Sequence, residues 1–240
     1  MAQTSEPNES RRRDAKERSI DDHDWHSQDY VSGWISKDRG RGARRGPLFQ
    51  RMIDGMPFAK DAEFRVIDVG GGYGAVSEAV LRAFPRAQVT LQDYSQVMLD
   101  AARDHLAAHA ARMHYAIGDL TDHGWIKQFD APFDLAVSAI AIHNLMEMPL
   151  IAASYRDIRS ILKPGGLFIS KTPCLAQMGL PVRLLVPVMQ AIGKAPHVAF
   201  FNDAELEREI VAAGFKIVER ARHGTRGKDT RPFLVARKRA

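Results

Sequence analysis

An α/β fold of the Rossmann-like, doubly wound kind is what this sequence predicts: a mostly parallel, seven-stranded sheet with an antiparallel last strand. Three observations predict it. From residue 64 onward, short β-branched apolar runs alternate with stretches of helical period, the pattern of βαβ crossovers in a sheet covered on both faces. The last two strand-like runs are separated only by "RHGTRGKDT" (222–230), too short for a parallel crossover, so that pair must be antiparallel. The length of 240 residues suits one substantial domain with some decoration.

Taken in order, residues 1–20 are polar, charged and aperiodic, and a disordered N-terminal tail is expected. Residues 21–60 contain Trp25, Tyr30, Trp34 and the run "KDRGRGARRG"; one or two short helices are expected, forming a helical cap segment. The main domain is expected over 61–240. "FRVIDV" (64–69) reads as a buried strand, and "AVSEAVLRAF" as a helix with Val76, Val80 and Ala83 on one face, ending at Pro85. "QVTLQ" (88–92) is the second strand. "SQVMLDAARDHL" (95–106) is a helix with Ser95 as N-cap and Met98, Ala102 and Leu106 on one face. "MHYAI" (113–117) and "FDLAVS" (133–138) are strands three and four. A helical stripe over 150–162 stops at "KPGG", and "GLFISKT" (166–172) is strand five. Asn202 or Asp203 caps a last helix, with Glu205 at capping-box spacing from Asn202, and Gly214 ends it. "FKIVERA" and "RPFLVAR" are the terminal strands.

Composition narrows the class. The lone cysteine, Cys174, excludes an internal disulfide framework and suits a reducing compartment. No apolar run reaches membrane-spanning length, so no integral membrane association is expected. Arg11, Arg12 and Arg13 have no apolar region behind them, and the many acidic residues nearby argue against a transit peptide, so a cytoplasmic protein is expected. The net charge of +5 is unevenly placed: residues 1–60 carry +2, residues 61–219 carry −4, and residues 220–240 carry +7. A charge excess confined to one terminal segment is a weak argument for nucleic acid, which prefers a broad basic face.

The chemistry concentrates in "VIDVGGGYGAVS" (66–77). Gly70 to Ala75 fits G-x-G-x-x-A, the dinucleotide fingerprint, and the stretch from Asp68 also fits D-x-G-x-G-x-G. A pyrophosphate seated on a helix N-terminus needs no carboxylate beside it. Asp68 suits a ligand that carries an ammonium group.

In these residues the sequence resembles the class I S-adenosylmethionine-dependent methyltransferases, over roughly residues 60–240. The resemblance is carried by "VIDVGGGYG", by the acid Asp93 in "LQDYS", by Asp119 in "IGDL", by "LKPGGLF" and by the terminal antiparallel hairpin, all in order. It implies S-adenosylmethionine as cofactor, held by Asp68, Gly70, Gly72, Gly74, Asp93, Tyr94, Asp119, Leu120 and Ser138, with no metal. Asp93 lies where two ribose hydroxyls can donate to one carboxylate. Asp119, with the Leu120 backbone beside it, is placed to accept from the adenine amino group.

Methyl transfer from a sulfonium is an in-line displacement that needs orientation and exclusion of water more than acid catalysis. "SAIAIHNL" (138–145) lacks the Asn/Asp-Pro-Pro-aromatic sequence of the amino-group methylases of DNA bases and glutamine. His143 is the expected general base for a hydroxyl acceptor, since a neutral imidazole can take that proton near pH 7; His197 is a lesser candidate. Cys174 follows strand five, but the second Pro-Cys motif of the RNA cytosine-5 methylases is missing, and a small core residue is expected there. Residues 174–201 are rich in Met, Leu and Val, and a lid or cap over the acceptor is expected. The leading expectation is an enzyme that methylates a small apolar or aromatic metabolite at oxygen, nitrogen or carbon. An RNA-modifying methyltransferase and a non-catalytic S-adenosylmethionine-binding module are the alternatives. The sequence does not set the oligomeric state.

Overall fold

The computed structural model describes residues 24–40, 42–172, 203–223 and 231–239. The expected tail (1–20), the expected lid (174–201), His197, Cys174, Asn202 and the loop 224–230 lie outside the described residues.

Seven strands form one sheet: β1 (Arg65–Val69), β2 (Gln88–Asp93), β3 (Met113–Ile117), β4 (Phe133–Ala139), β5 (Leu162–Lys171), β6 (Phe215–His223) and β7 (Arg231–Lys238). Their spatial order is β3-β2-β1-β4-β5-β7-β6. The first five are mutually parallel, with Asp68 level with Leu91 of β2 and Val137 of β4. β7 runs antiparallel to both β5 and β6, so β6 points the same way as β1 to β5. The chain reverses its strand order between β1 and β4, where open α/β sheets make their ligand crevice at the carboxyl edge.

Alternation along each strand sorts the core into two layers. Val66, Val89, Leu91, Leu135, Val137 and Ile169 pack on one face, under α3 (Ala75–Ala83) and α4 (Gln96–His105). Ile67, Val69, Ala136 and Phe168 pack on the other, under α5 (Met148–Ser160) and α6 (Asp203–Ala212). These side chains are fully or nearly fully buried, which explains why the strands read as continuous apolar runs.

The segment ahead of β1 forms two helices, α1 (Gln28–Arg39) and α2 (Gly42–Asp54), and they divide the work expected of a cap. Leu48 and Met52 of α2, with Met56 just beyond it, belong to the core of the sheet's α3 face. α1 instead packs Val31 and Ile35 against Tyr73 and Met98, above the carboxyl edge.

β5 departs from its expected span. It begins at Leu162 rather than 166, because Phe133 already pairs with Leu162 before a bulge resets the register to Leu135–Leu167. "KPGG" therefore lies inside the strand as an irregularity; α5 ends at Ser160, with Ile161 as its C-cap.

Candidate active site

The glycine loop leaves β1 and closes on Gly74, the N-cap of α3. Two of its glycines show what the loop must accommodate. Gly70 has φ +65°, and a Cβ there would come within 2.4 Å of the Ala141 side chain, so the turn leaving β4 lies directly against the loop. Gly72 has φ +55°, and a Cβ there would meet only Met98 Sδ, at 3.9 Å. Gly72 is thus the loop position that faces open space, where a ligand can approach the backbone closely.

The loop is held from β2. Gly71 N–H donates to the Gln92 carbonyl at 3.0 Å. Gly70 N–H donates to Gln92 Oε1 at 3.1 Å, while Gln92 Nε2 donates to the Gly118 carbonyl at 2.5 Å. Gln92 therefore fastens the exits of β1 and β3 to one buried amide. It was not among the residues expected at the site; the signal was a glutamine in an otherwise apolar strand. Asp93 accepts from Gly72 N–H through Oδ2 at 2.9 Å and from Ser95 N–H through Oδ1 at 3.0 Å. Burial pushes its carboxyl above the usual range, opposed by these backbone donors. With backbone donors from Ser95, Gly72 and Tyr94 acting on it, the carboxylate keeps part of its acceptor capacity, which a ribose hydroxyl would use.

Tyr94 and Ile117 sit at the carboxyl tips of β2 and β3, large side chains 41% and 49% exposed. Asp119 is exposed and accepts from Thr121 N–H at 2.8 Å, which turns the chain; Leu120 beside it is buried.

Two of the residues expected at the site make bonds within the fold. Asp68 engages the first turn of α3. It is 1% exposed, and its Oδ2 accepts from both the backbone N–H (3.1 Å) and the hydroxyl (2.7 Å) of Ser77. It ties β1 to the first turn of α3, where the unpaired helical N–H groups favour an anion. Burial still outweighs those donors and lifts its carboxyl to about 6. Ser138 is also turned inward: its hydroxyl donates to the Val69 carbonyl at 2.9 Å.

The exit from β4 is strained. Ile140 has φ +59° and Met146 φ +63°, left-handed values that a β-branched residue such as isoleucine rarely adopts. Between them a short 3-10 turn (Ile142–Leu145) carries His143. His143 is buried, its Nδ1 has no hydrogen-bond partner among the described residues, and desolvation lowers its pKa to about 4. The imidazole is therefore neutral at pH 7, two residues from the Ala141 side chain that contacts the glycine loop. No group of residues able to hold a metal ion occurs among the described residues.

S-adenosylmethionine fits these groups. An open glycine backbone, a buried carboxylate with part of its acceptor capacity left and two exposed large side chains suit a nucleoside with an amino-acid arm. A carboxylate hydrogen-bonded into the glycine loop would repel a pyrophosphate.

Residues 66–166 match the family model described as a methyltransferase domain. The ubiquinone/menaquinone biosynthesis C-methyltransferase UbiE of Dinoroseobacter shibae is 32% identical over 111 residues, 45% of this chain and 42% of that protein. The ubiquinone biosynthesis O-methyltransferase of Xylella fastidiosa is 34% identical over 158 residues, 64% of this chain and 61% of that protein. The chain spans about half the length of the curated relatives it matches. An O-methyltransferase family protein from Burkholderia thailandensis shares the fold with a TM-score of 0.67 at 16% identity, covering 90% of this chain and 61% of that one. The glycine loop, the acid at the tip of β2 and the sheet order agree with these matches, which identify a class I S-adenosylmethionine-dependent methyltransferase domain over residues 66–166.

Proposed function

We propose that the protein transfers a methyl group from S-adenosylmethionine to a small apolar or aromatic acceptor, at oxygen, with His143 as the proton acceptor. The observation that carries this reading is the strained turn that holds the buried His143 two residues from Ala141, whose side chain lies against the glycine loop. Strain of roughly 1–3 kcal/mol per such residue persists where the surroundings impose it, and it clusters at functional sites. The relatives named above, a C-methyltransferase and an O-methyltransferase of quinone biosynthesis, support a small-molecule acceptor.

When bound, the cofactor supplies a methyl carbon made electrophilic by its sulfonium. The glycine loop and Asp93 fix where the nucleoside half lies. The Tyr94 and Ile117 side chains exclude water from it. His143 would accept the acceptor's hydroxyl proton, leaving that oxygen to take the methyl group the cofactor would supply. Asp119 and the Leu120 backbone remain the proposed adenine contacts. We place the enzyme in the cytoplasm on its single cysteine; among the described residues no helix is long and apolar enough to cross a membrane.

The test has two arms. Calorimetry should show S-adenosylhomocysteine binding that Asp93→Ala weakens ~10-fold or more, since hydrogen bonds to charged groups are worth roughly 1.5–3 kcal/mol. Profiling of metabolites with a labelled methyl donor should then reveal a small acceptor whose turnover His143→Ala lowers ~100-fold or more with cofactor affinity unchanged. Tight NADH binding without S-adenosylhomocysteine binding would overturn the reading. Binding without turnover of any acceptor would leave a non-catalytic binding module.

A further inference from the structure

α1 and the two residues just ahead of its N-cap hold both loops that would bind the cofactor. On the β1 side, Tyr73 lies within the glycine loop and its hydroxyl donates to Asp38 Oδ2 at 3.0 Å. Asp38 stands in the last turn of α1, 1% exposed. Arg45 of α2 closes on it with both guanidinium nitrogens, Nη1 2.8 Å from Oδ2 and Nη2 2.7 Å from Oδ1. The Tyr73 ring is also packed edge-on against Trp34 of α1 and His105 of α4, at 6.2 and 5.2 Å between centroids. On the β2 side, the Ser95 hydroxyl donates to the Trp25 carbonyl, and the His26 ring meets Tyr94 edge-on at 5.0 Å. The helix ahead of the domain, with the two residues before its N-cap, is thus tied to the residue after Gly72 and to the two residues after Asp93.

A buried carboxylate is costly unless it is paired and hydrogen-bonded. Pairing it with Arg45 alone would have sufficed for that. The third partner is the one side chain of the glycine loop long enough to reach α1. Burial and the facing Asp38 carboxylate push the Tyr73 phenol up to about 12, so it stays a hydrogen-bond donor at any working pH. The tie therefore makes two events one. Ordering the glycine loop orders the end of α1, and by linkage α1 docking must favour the ligand-ready loop to the same degree.

We propose that Tyr73, Asp38 and Arg45 are positioning residues that couple docking of the N-terminal helix to cofactor binding, so that α1 closes over the site as the cofactor is taken up. The proposal rests on the cofactor site described above.

Hydrogen exchange on the full chain, with and without S-adenosylhomocysteine, tests it. In the unaltered protein the ligand should slow exchange of the α1 amides (28–39). Tyr73→Phe keeps the ring and its packing and removes only the hydroxyl. It should raise the S-adenosylhomocysteine Kd about tenfold, the lower end of what a hydrogen bond to a charged group contributes, and abolish the slowing at α1 even when ligand saturates the variant. Arg51→Gln, which severs the surface pair of α2 with Glu219, should change neither readout. A purely structural role for the tie would lower stability with and without ligand alike and leave the slowing intact. That result, or α1 exchange indifferent to ligand in the unaltered protein, would overturn the proposal. If the unaltered protein bound no S-adenosylhomocysteine by calorimetry, the cofactor reading itself would fall, and this one with it.

Discussion

Asp68 and His143 are buried titratable groups that desolvation pushes in opposite senses, and they give stability opposite dependences on pH. His143 has its pKa lowered from 6.5 to about 4. As pH falls below 6.5 the unfolded chain takes the proton first, so stability is lost progressively down to about 4. Asp68 has its pKa raised from 3.8 to about 6. As pH falls below 6 the folded chain takes the proton first, so this group adds stability on the acid side and withdraws it as pH rises. Urea unfolding at pH 7 and pH 5 separates them: relative to His143→Leu, the wild type should lose about 2 kcal/mol at the lower pH. Relative to Asp68→Asn it should gain about 1 kcal/mol over the same interval. Equal differences at both pH values would show that neither group is held in its uncharged form by burial. The same two residues mark how far single positions are legible in sequence. The glycines and Asp93 declare themselves, because few other demands place those types at a strand tip. The direction a side chain takes does not. A carboxylate beside a glycine turn can face the ligand or the next helix, and here Ser77, nine residues on, draws Asp68 inward. Ser138 is likewise drawn to the Val69 carbonyl.

At the scale of elements, periodicity finds the helices and strands, while their assignment to layers is decided by packing. Leu48, Met52 and Met56 recur every four residues, as on any amphipathic helix. Nothing in that spacing says whether the stripe meets an acceptor or the sheet. The structure gives it to the sheet, with Met52 wholly buried in the core that holds Val66 and Leu135. Met52→Ala should therefore cost about 2–5 kcal/mol in urea unfolding while leaving the S-adenosylhomocysteine Kd of the folded protein unchanged. A loss below about 1 kcal/mol, which is less than a buried methionine deletion commonly costs, would place α2 outside the core. Ser95 was legible as an N-cap and is one, accepting from Met98 N–H at 3.1 Å. Its second bond, to the Trp25 carbonyl, was not, because that partner is 70 residues away in sequence. "KPGG" reads locally as a helix stop; only the pairing with Phe133 reveals that the strand has already begun there.

At the scale of the whole molecule, the question is whether the basic C-terminal segment makes a surface for nucleic acid. β6 runs with β1 to β5, so it ends at the carboxyl edge of the sheet, where His223 pairs with Arg231 at the start of β7. β7 then carries the chain back across the sheet. Arg237 Nη1 donates to the Gly165 carbonyl at 3.1 Å and Lys238 Nζ to the Leu162 carbonyl at 2.6 Å, both at the start of β5. These two cations lie at the amino edge, a full strand length from the glycine loop. Burial and the nearby Arg159 charge lower the Lys238 pKa. Among the described residues, the Arg237 and Lys238 cations thus lie at the edge of the sheet opposite to the one where β6 ends. Changing Arg237, Lys238 and Arg239 together to Gln should leave kcat and KM for the acceptor unchanged. Changing Arg226 and Lys228, which belong to the β6–β7 connection, together with Arg231, the first residue of β7, should raise the KM of an anionic acceptor, by less as salt is added, because screening weakens the interaction in the parent enzyme as well. Equal losses from both triplets, together with RNA binding that falls steeply with salt, would mean that the two edges act on one long polyanion, and the small-molecule acceptor would give way to RNA.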